Sequence, residues 1–169
     1  VSTETKVTSI QRAGKKWQVN AGQILFADRV VLAIPAPQIA SLMVMGNPLI
    51  EELARVELAP CLTFMAAFKD NCPTPFIVNR SEDGPLAFIA RDCSKPSRAS
   101  TAVTWVVQAG ANWSATHLED DRLKLTQQML QLLCDKIGAD PNDVIHSDVH
   151  RWRYARVTTP LGHPFLRDN

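Results

Sequence analysis

"RVVLAIPAPQ", residues 29–38, is the stretch on which the reading of this chain turns. Val30, Val31, Leu32, Ala33 and Ile34 follow one another without a polar interruption and stop at Pro35 and Pro37. A short unbroken apolar run bounded by prolines predicts a strand covered on both faces. Strands of that kind belong to sheets sandwiched between other layers.

Upstream of it the pattern is different. "KVTSI" (6–10), "WQVN" (17–20) and "QILF" (23–26) are short, and Gly14 and Gly22 punctuate them. They predict a β-meander that feeds the buried strand. Downstream, Ile39, Leu42, Met43 and Met45 have helical spacing up to Gly46. A second helix is expected over "NPLIEELARV" (47–56), with Asn47 as N-cap and Pro48 at its first position, ending before Pro60. Strands follow at 61–69, 75–79 and 85–91, the last after the turn signal Asp83-Gly84. "DCSKPSRAS" (92–100) reads as a polar loop, and "TAVTWVVQAG" (101–110) as a β-branched, aromatic strand. Leu125, Met129, Leu130, Leu133 and Ile137 then form an apolar stripe. Asp120 and Asp121 suit the N-terminus of that helix, Lys136 its last turn and Gly138 its C-cap. "VIHSDVHRWRYARV" (144–157) alternates as a final strand. The fold class is α+β: an antiparallel or mixed sheet with helices, plus a β-meander.

Bulk properties exclude several functions. The chain has 169 residues and is 46% hydrophobic, enough for a sizeable core. Eighteen basic residues against 17 acidic leave a net charge of +1, so no global field draws in nucleic acid or an anionic membrane. No apolar run approaches the ~20 residues that span a bilayer. Cys61, Cys72, Cys93 and Cys134 are widely spaced and form no C-x-x-C. They read as free thiols of a reducing compartment, the cytoplasm. A start at Val1 rather than methionine suggests an excised or processed piece.

The seven glycines stand at 14, 22, 46, 84, 110, 138 and 162, the nearest pair eight apart. Neither G-x-G-x-x-G nor a P-loop is possible at that spacing, because both need glycines a few residues apart for backbone approach to phosphate. His146 and His150 share a face of a strand but stand ~13 Å apart at ~3.3 Å per residue. That is too far for one metal, and no metal site is expected. No serine lies in G-x-S-x-G. "EDD" (119–121) reads as helix capping rather than an acid–base pair. "HRWRY" (150–154) puts His150, Trp152 and Tyr154 on one face and Arg151 and Arg153 on the other. The aromatic face reads equally as a ligand-pocket wall or as ordinary core packing. A nucleic-acid stacking platform is disfavoured by the balanced charge.

"KVTSI…KWQV…ILFADRVVLAIPAPQ", "ANWSATHLEDD" before a long helix, and "HRWRYA" together resemble flavin-dependent amine oxidases. They are most similar to the renalase-like branch of NAD/FAD-dependent oxidoreductases. The resemblance implies two interleaved domains. Residues 1–37 would be the middle segment of an FAD-binding domain, 38–155 a substrate-binding domain, and 156–169 the start of the return. It places Val7 and Pro35 against the cofactor, and Trp152 and Tyr154 on the cavity before the flavin ring. The family's N-terminal glycine-rich loop and C-terminal flavin segment have no counterpart here, so the chain is expected to be an internal piece. It implies FAD in the intact parent, weak or absent in this chain. The implied reaction oxidises an amine or a reduced nicotinamide-like substrate by hydride transfer; no catalytic residue is identified. The competing reading is a non-catalytic module that binds a small molecule or a protein through its antiparallel sheet. Exposed sheet edges raise the further expectation of a homodimer.

Overall fold

The computed structural model describes residues 2–43, 46–98 and 101–168. They cluster into two compact units. One holds the residues up to Leu58 with those from Val157 onward; the other is Ala59–Arg156.

The first unit contains the expected meander, as strands β1 (Ser9–Ala13), β2 (Lys16–Asn20) and β3 (Ile24–Ala27). They pair antiparallel in that order, with Ile10 opposite Val19 and Val19 opposite Leu25. Ala13 pairs with Lys16, so Gly14 and Lys15 make the whole turn. Gly14 sits at φ +62°, which explains why glycine is there. Val7 precedes β1 rather than lying in it. Helix α1 (Ala36–Leu42) begins at the prolines and ends earlier than its apolar pattern suggested. Met43 already leaves it to bridge Ile10, and Met45 lies outside the described residues. Helix α2 (Leu49–Leu53) is short, and the Leu49 N–H donates to Asn47 Oδ1 at 2.9 Å. Asn47 thus satisfies the helix start from one residue further out than expected, with Pro48 in the cap position.

The run at 29–34 is the main departure. It is not a strand: no residue from Arg29 to Ile34 is paired, Val31 is 89% exposed and Ile34 42%. A continuous apolar run becomes a strand only between neighbours that hydrogen-bond its backbone and layers that cover both faces. The described residues of this unit supply neither.

The second unit is a five-stranded sheet on one helix. Its strands are β4 (Glu57–Phe68), β5 (Val78–Arg80), β6 (Phe88–Arg91), β7 (Val103–Gln108) and β8 (Val144–Thr159), in the order β5-β6-β7-β4-β8. β4 starts at Glu57 and runs through Pro60, where a break was expected. Within "DCSKPSRAS", residues 92–94 form a 3-10 turn; Ala99 and Ser100 lie outside the described residues. Alternation then sorts every strand onto two faces. Leu62, Phe64, Ala66 and Phe68 of β4, Ile89 of β6, Trp105 and Val107 of β7 and Val149 of β8 are buried together. Helix α4 (Arg122–Ile137) covers that face with Leu125, Met129, Leu133 and Ile137. Its ends are built as the sequence predicts. The Lys124 N–H donates to the Asp121 carboxylate at 2.9 Å, and Gly138 closes the helix at φ +74°. The six-residue helix α3 (Ala111–Thr116) was not expected; buried Ser114 anchors it by accepting the Leu62 N–H at 3.1 Å.

Cys72 and Cys134 are buried in this core, and burial pushes both thiols up, Cys134 to about 11. Cys61 and Cys93 are half-buried. Iodoacetamide at neutral pH should therefore label Cys61 and Cys93 in the folded chain, and Cys72 and Cys134 only after denaturation, as read by peptide mass spectrometry.

Candidate functional site

The face of the sheet opposite α4 is open. Register carries one row of side chains straight across it. Arg80 on β5 pairs with Phe88 on β6, Phe88 with Gln108 on β7, and Gln108 with Thr63 on β4. β8 borders β4 and brings Trp152, Tyr154 and Arg156 to the same face. Neighbouring strands lie ~4.8 Å apart, so the four gaps from β5 to β8 make a floor ~19 Å wide. A cleft of about 760 Å³ lies over it, lined by side chains of all five strands. That volume suits a small-molecule ligand.

Two features hold the cleft in shape. The loop between β5 and β6 is docked on the end of β7: the Gly110 N–H donates to the Gly84 carbonyl at 2.8 Å, and Asn112 Nδ2 donates to Asp83 at 3.0 Å. A Cβ on Gly110 would lie 1.7 Å from the Asp83 carboxylate and 3.0 Å from its Cα, so only glycine allows the loop this close. The second feature is the outer edge of β8. Its α4-side face carries Arg151 and Arg153, which are tied to the loop before α4. Arg153 clamps the Glu119 carboxylate through both terminal nitrogens, and Arg151 donates to the Asp120 carbonyl. Arg122 grips Asp148 in the same two-pronged way. The guanidinium bonds hold Glu119 and Asp148 below the usual carboxylate range. Fixing one face of the strand fixes the other, because side chains alternate. Trp152 and Tyr154 are thereby presented to the cleft, 54% and 39% exposed, with the His150 ring 4.3 Å from that of Trp152.

Trp152 and Tyr154 are therefore brought together in one cleft as the aromatic face of "HRWRY". Val7 and Pro35 lie in the other unit, Val7 half-buried ahead of β1 and Pro35 capping α1. The start of α1 has few free donors. An anion cradle needs free backbone N–H groups at a helix start. At α1 two of the first positions are prolines, and the next two N–H groups, of Gln38 and Ile39, both donate to the Pro35 carbonyl. The site residues sequence reasoning missed are Arg80, Phe88 and Gln108. They sit on different strands, and only register puts them in one row.

Comparison with known proteins gives the fold a setting. The family model for flavin containing amine oxidoreductase matches residues 1–167. Among solved structures, a protein from Exiguobacterium sp. 255-15, provisionally named protoporphyrinogen oxidase, superposes with a TM-score of 0.70 at 20% identity, over 95% of this chain and 36% of that one. Putrescine oxidase bound to putrescine gives 0.68 at 14% identity, over 94% and 38%. Cyclohexylamine oxidase from Brevibacterium oxydans IH-35A gives 0.63 at 17%, over 87% and 34%. The chain thus spans about a third of the length of these structures.

Gly110→Ala should destabilise the chain by about 1–3 kcal/mol, the scale of a forced overpacking, measured as a lower urea midpoint. The β8 clamps set a second expectation. A carboxylate with a lowered folded pKa contributes its stabilisation in full above the ordinary value and loses it as pH falls through the lowered one. With ordinary values of 3.8 for Asp148 and 4.5 for Glu119, the clamps should fail on acidification below that range. Arg153→Gln should shift the acid-induced change in tryptophan emission to higher pH than in the wild type.

Proposed function

The chain belongs to the flavin-containing amine oxidoreductase family, and on that premise we propose that it is the substrate-facing part of an FAD-dependent oxidoreductase. The observation that carries this reading is the family match over residues 1–167, nearly the whole chain. Its residues 1–37 are the middle segment of the FAD-binding domain, 38–155 the substrate-binding domain, and 156–169 the start of the return. "ANWSATHLEDD" and "HRWRYA" support a place in the renalase-like branch. The four cysteines, free of disulfides, support a reducing compartment, the cytoplasm.

FAD, when bound in the intact parent, supplies the hydride acceptor for oxidation of an amine or a reduced nicotinamide-like substrate. The contribution of this chain is orientation. Val7 and Pro35 border the cofactor on the meander side. Trp152 and Tyr154 offer flat apolar surface against which a substrate ring is held and from which water is displaced. Pro37 removes one donor from the start of α1 and the Gln38 N–H is engaged by the Pro35 carbonyl, which supports the reading that the 169-residue chain alone binds FAD weakly or not at all.

The test is purification in excess FAD of both this chain and the full reading frame that encodes it. The parent should emerge yellow with stoichiometric flavin, and this chain colourless. A parent that never takes up flavin overturns the oxidoreductase reading; a stoichiometric yellow complex of this chain alone overturns its dependence on the rest.

A further inference from the structure

The charge on the cleft is informative about what enters it. Among the described residues two guanidinium groups line it, Arg80 from β5 and Arg156 from β8, and one carboxylate, Glu82, from the β5–β6 loop. Among the described residues neither arginine forms an ion pair, unlike Arg122 and Arg153 on the opposite side of the sheet. Arg80 instead lies over the Phe88 ring, its guanidinium carbon 5.3 Å from the centroid. Such stacking holds the fork flat and leaves its N–H edge for a partner. Trp152 and Tyr154 supply flat apolar surface beside them. An ammonium ion entering here meets two like charges against one opposite charge, an arrangement that disfavours it.

We propose that the cleft selects a planar apolar substrate bearing a carboxylate, with the ring on the aromatic floor and the anion on Arg80 or Arg156, rather than a cationic amine. The proposal rests on the oxidoreductase reading only for the word substrate. The charged and aromatic side chains it is argued from all belong to this unit.

The experiment is titration of the 169-residue chain with three isosteric probes, followed by tryptophan fluorescence and heteronuclear NMR. The probes are 2-naphthoate, neutral 2-naphthylmethanol and cationic 2-naphthylmethylamine. The expected order is naphthoate tightest and the amine weakest, with shifts at Trp152 and Tyr154. Arg80→Gln and Arg156→Gln should together weaken naphthoate by roughly tenfold, the scale of one charge-assisted hydrogen bond, and leave the alcohol unchanged. Glu82→Gln should move the other way and tighten naphthoate. The unchanged alcohol reports an intact cleft, so loss of naphthoate binding cannot be put down to misfolding. An amine that binds as tightly as naphthoate, or arginine variants that leave naphthoate unaffected, overturns the proposal. Flavin uptake by the parent is read separately, so either idea can fail without the other.

Discussion

The structure of the second unit depends on a sheet whose α4-side face is fully buried. Phe64, Phe68, Trp105, Val107 and Ile89 are almost wholly excluded from solvent on the α4 side. Each large buried apolar side chain contributes about 1.5–3 kcal/mol, so this layer dominates the stability of the unit. Register is then not free. A slip of one residue in β7 would turn Trp105 and Val107 out to solvent and Gln108 into the core. The row Arg80–Phe88–Gln108–Thr63 on the open face is a consequence of that constraint. The core chooses the register, and the register assembles the cleft.

β8 shows the same coupling within one strand. Arg151 and Arg153 lie on the α4 side with acidic and carbonyl partners; Trp152 and Tyr154 lie on the other. Exposed ion pairs contribute little to stability, so the clamp is better understood as orientation. β8 is an edge strand, with β4 as its single neighbour in the sheet. An edge strand has ladder hydrogen bonds on one side, and the two-pronged Arg153–Glu119 contact supplies a second line of attachment. The aromatic rings therefore sit on a strand held by its ladder along one margin and by its arginines on the face opposite the rings.

Much of this is legible in the sequence. Asp121 and Gly138 marked α4 because helix ends are decided by local chemistry, and the alternation in "HRWRY" separated its rings from its arginines because strand periodicity is local too. Arg80, Phe88 and Gln108 were hidden because their juxtaposition depends on pairing across three strands. Helix α3 was hidden because its anchor is one buried hydroxyl, Ser114, on a strand amide far away in sequence. "RVVLAIPAPQ" misled for the opposite reason. Its composition states what the segment needs, two covering layers and hydrogen-bonding neighbours, and none of these is encoded in the segment itself.

The same segment shows what prolines do to a helix start. A dinucleotide site needs an apolar wall and a cluster of free N–H groups. Proline and unbroken aliphatic sequence build the first and oppose the second. Pro35 and Pro37 remove donors, and the carbonyl of Pro35 takes two of those that remain. An apolar run that ends in "IPAPQ" thus leaves few donors at the start of that helix. Val31 and Ile34 are left exposed and keep the need for cover.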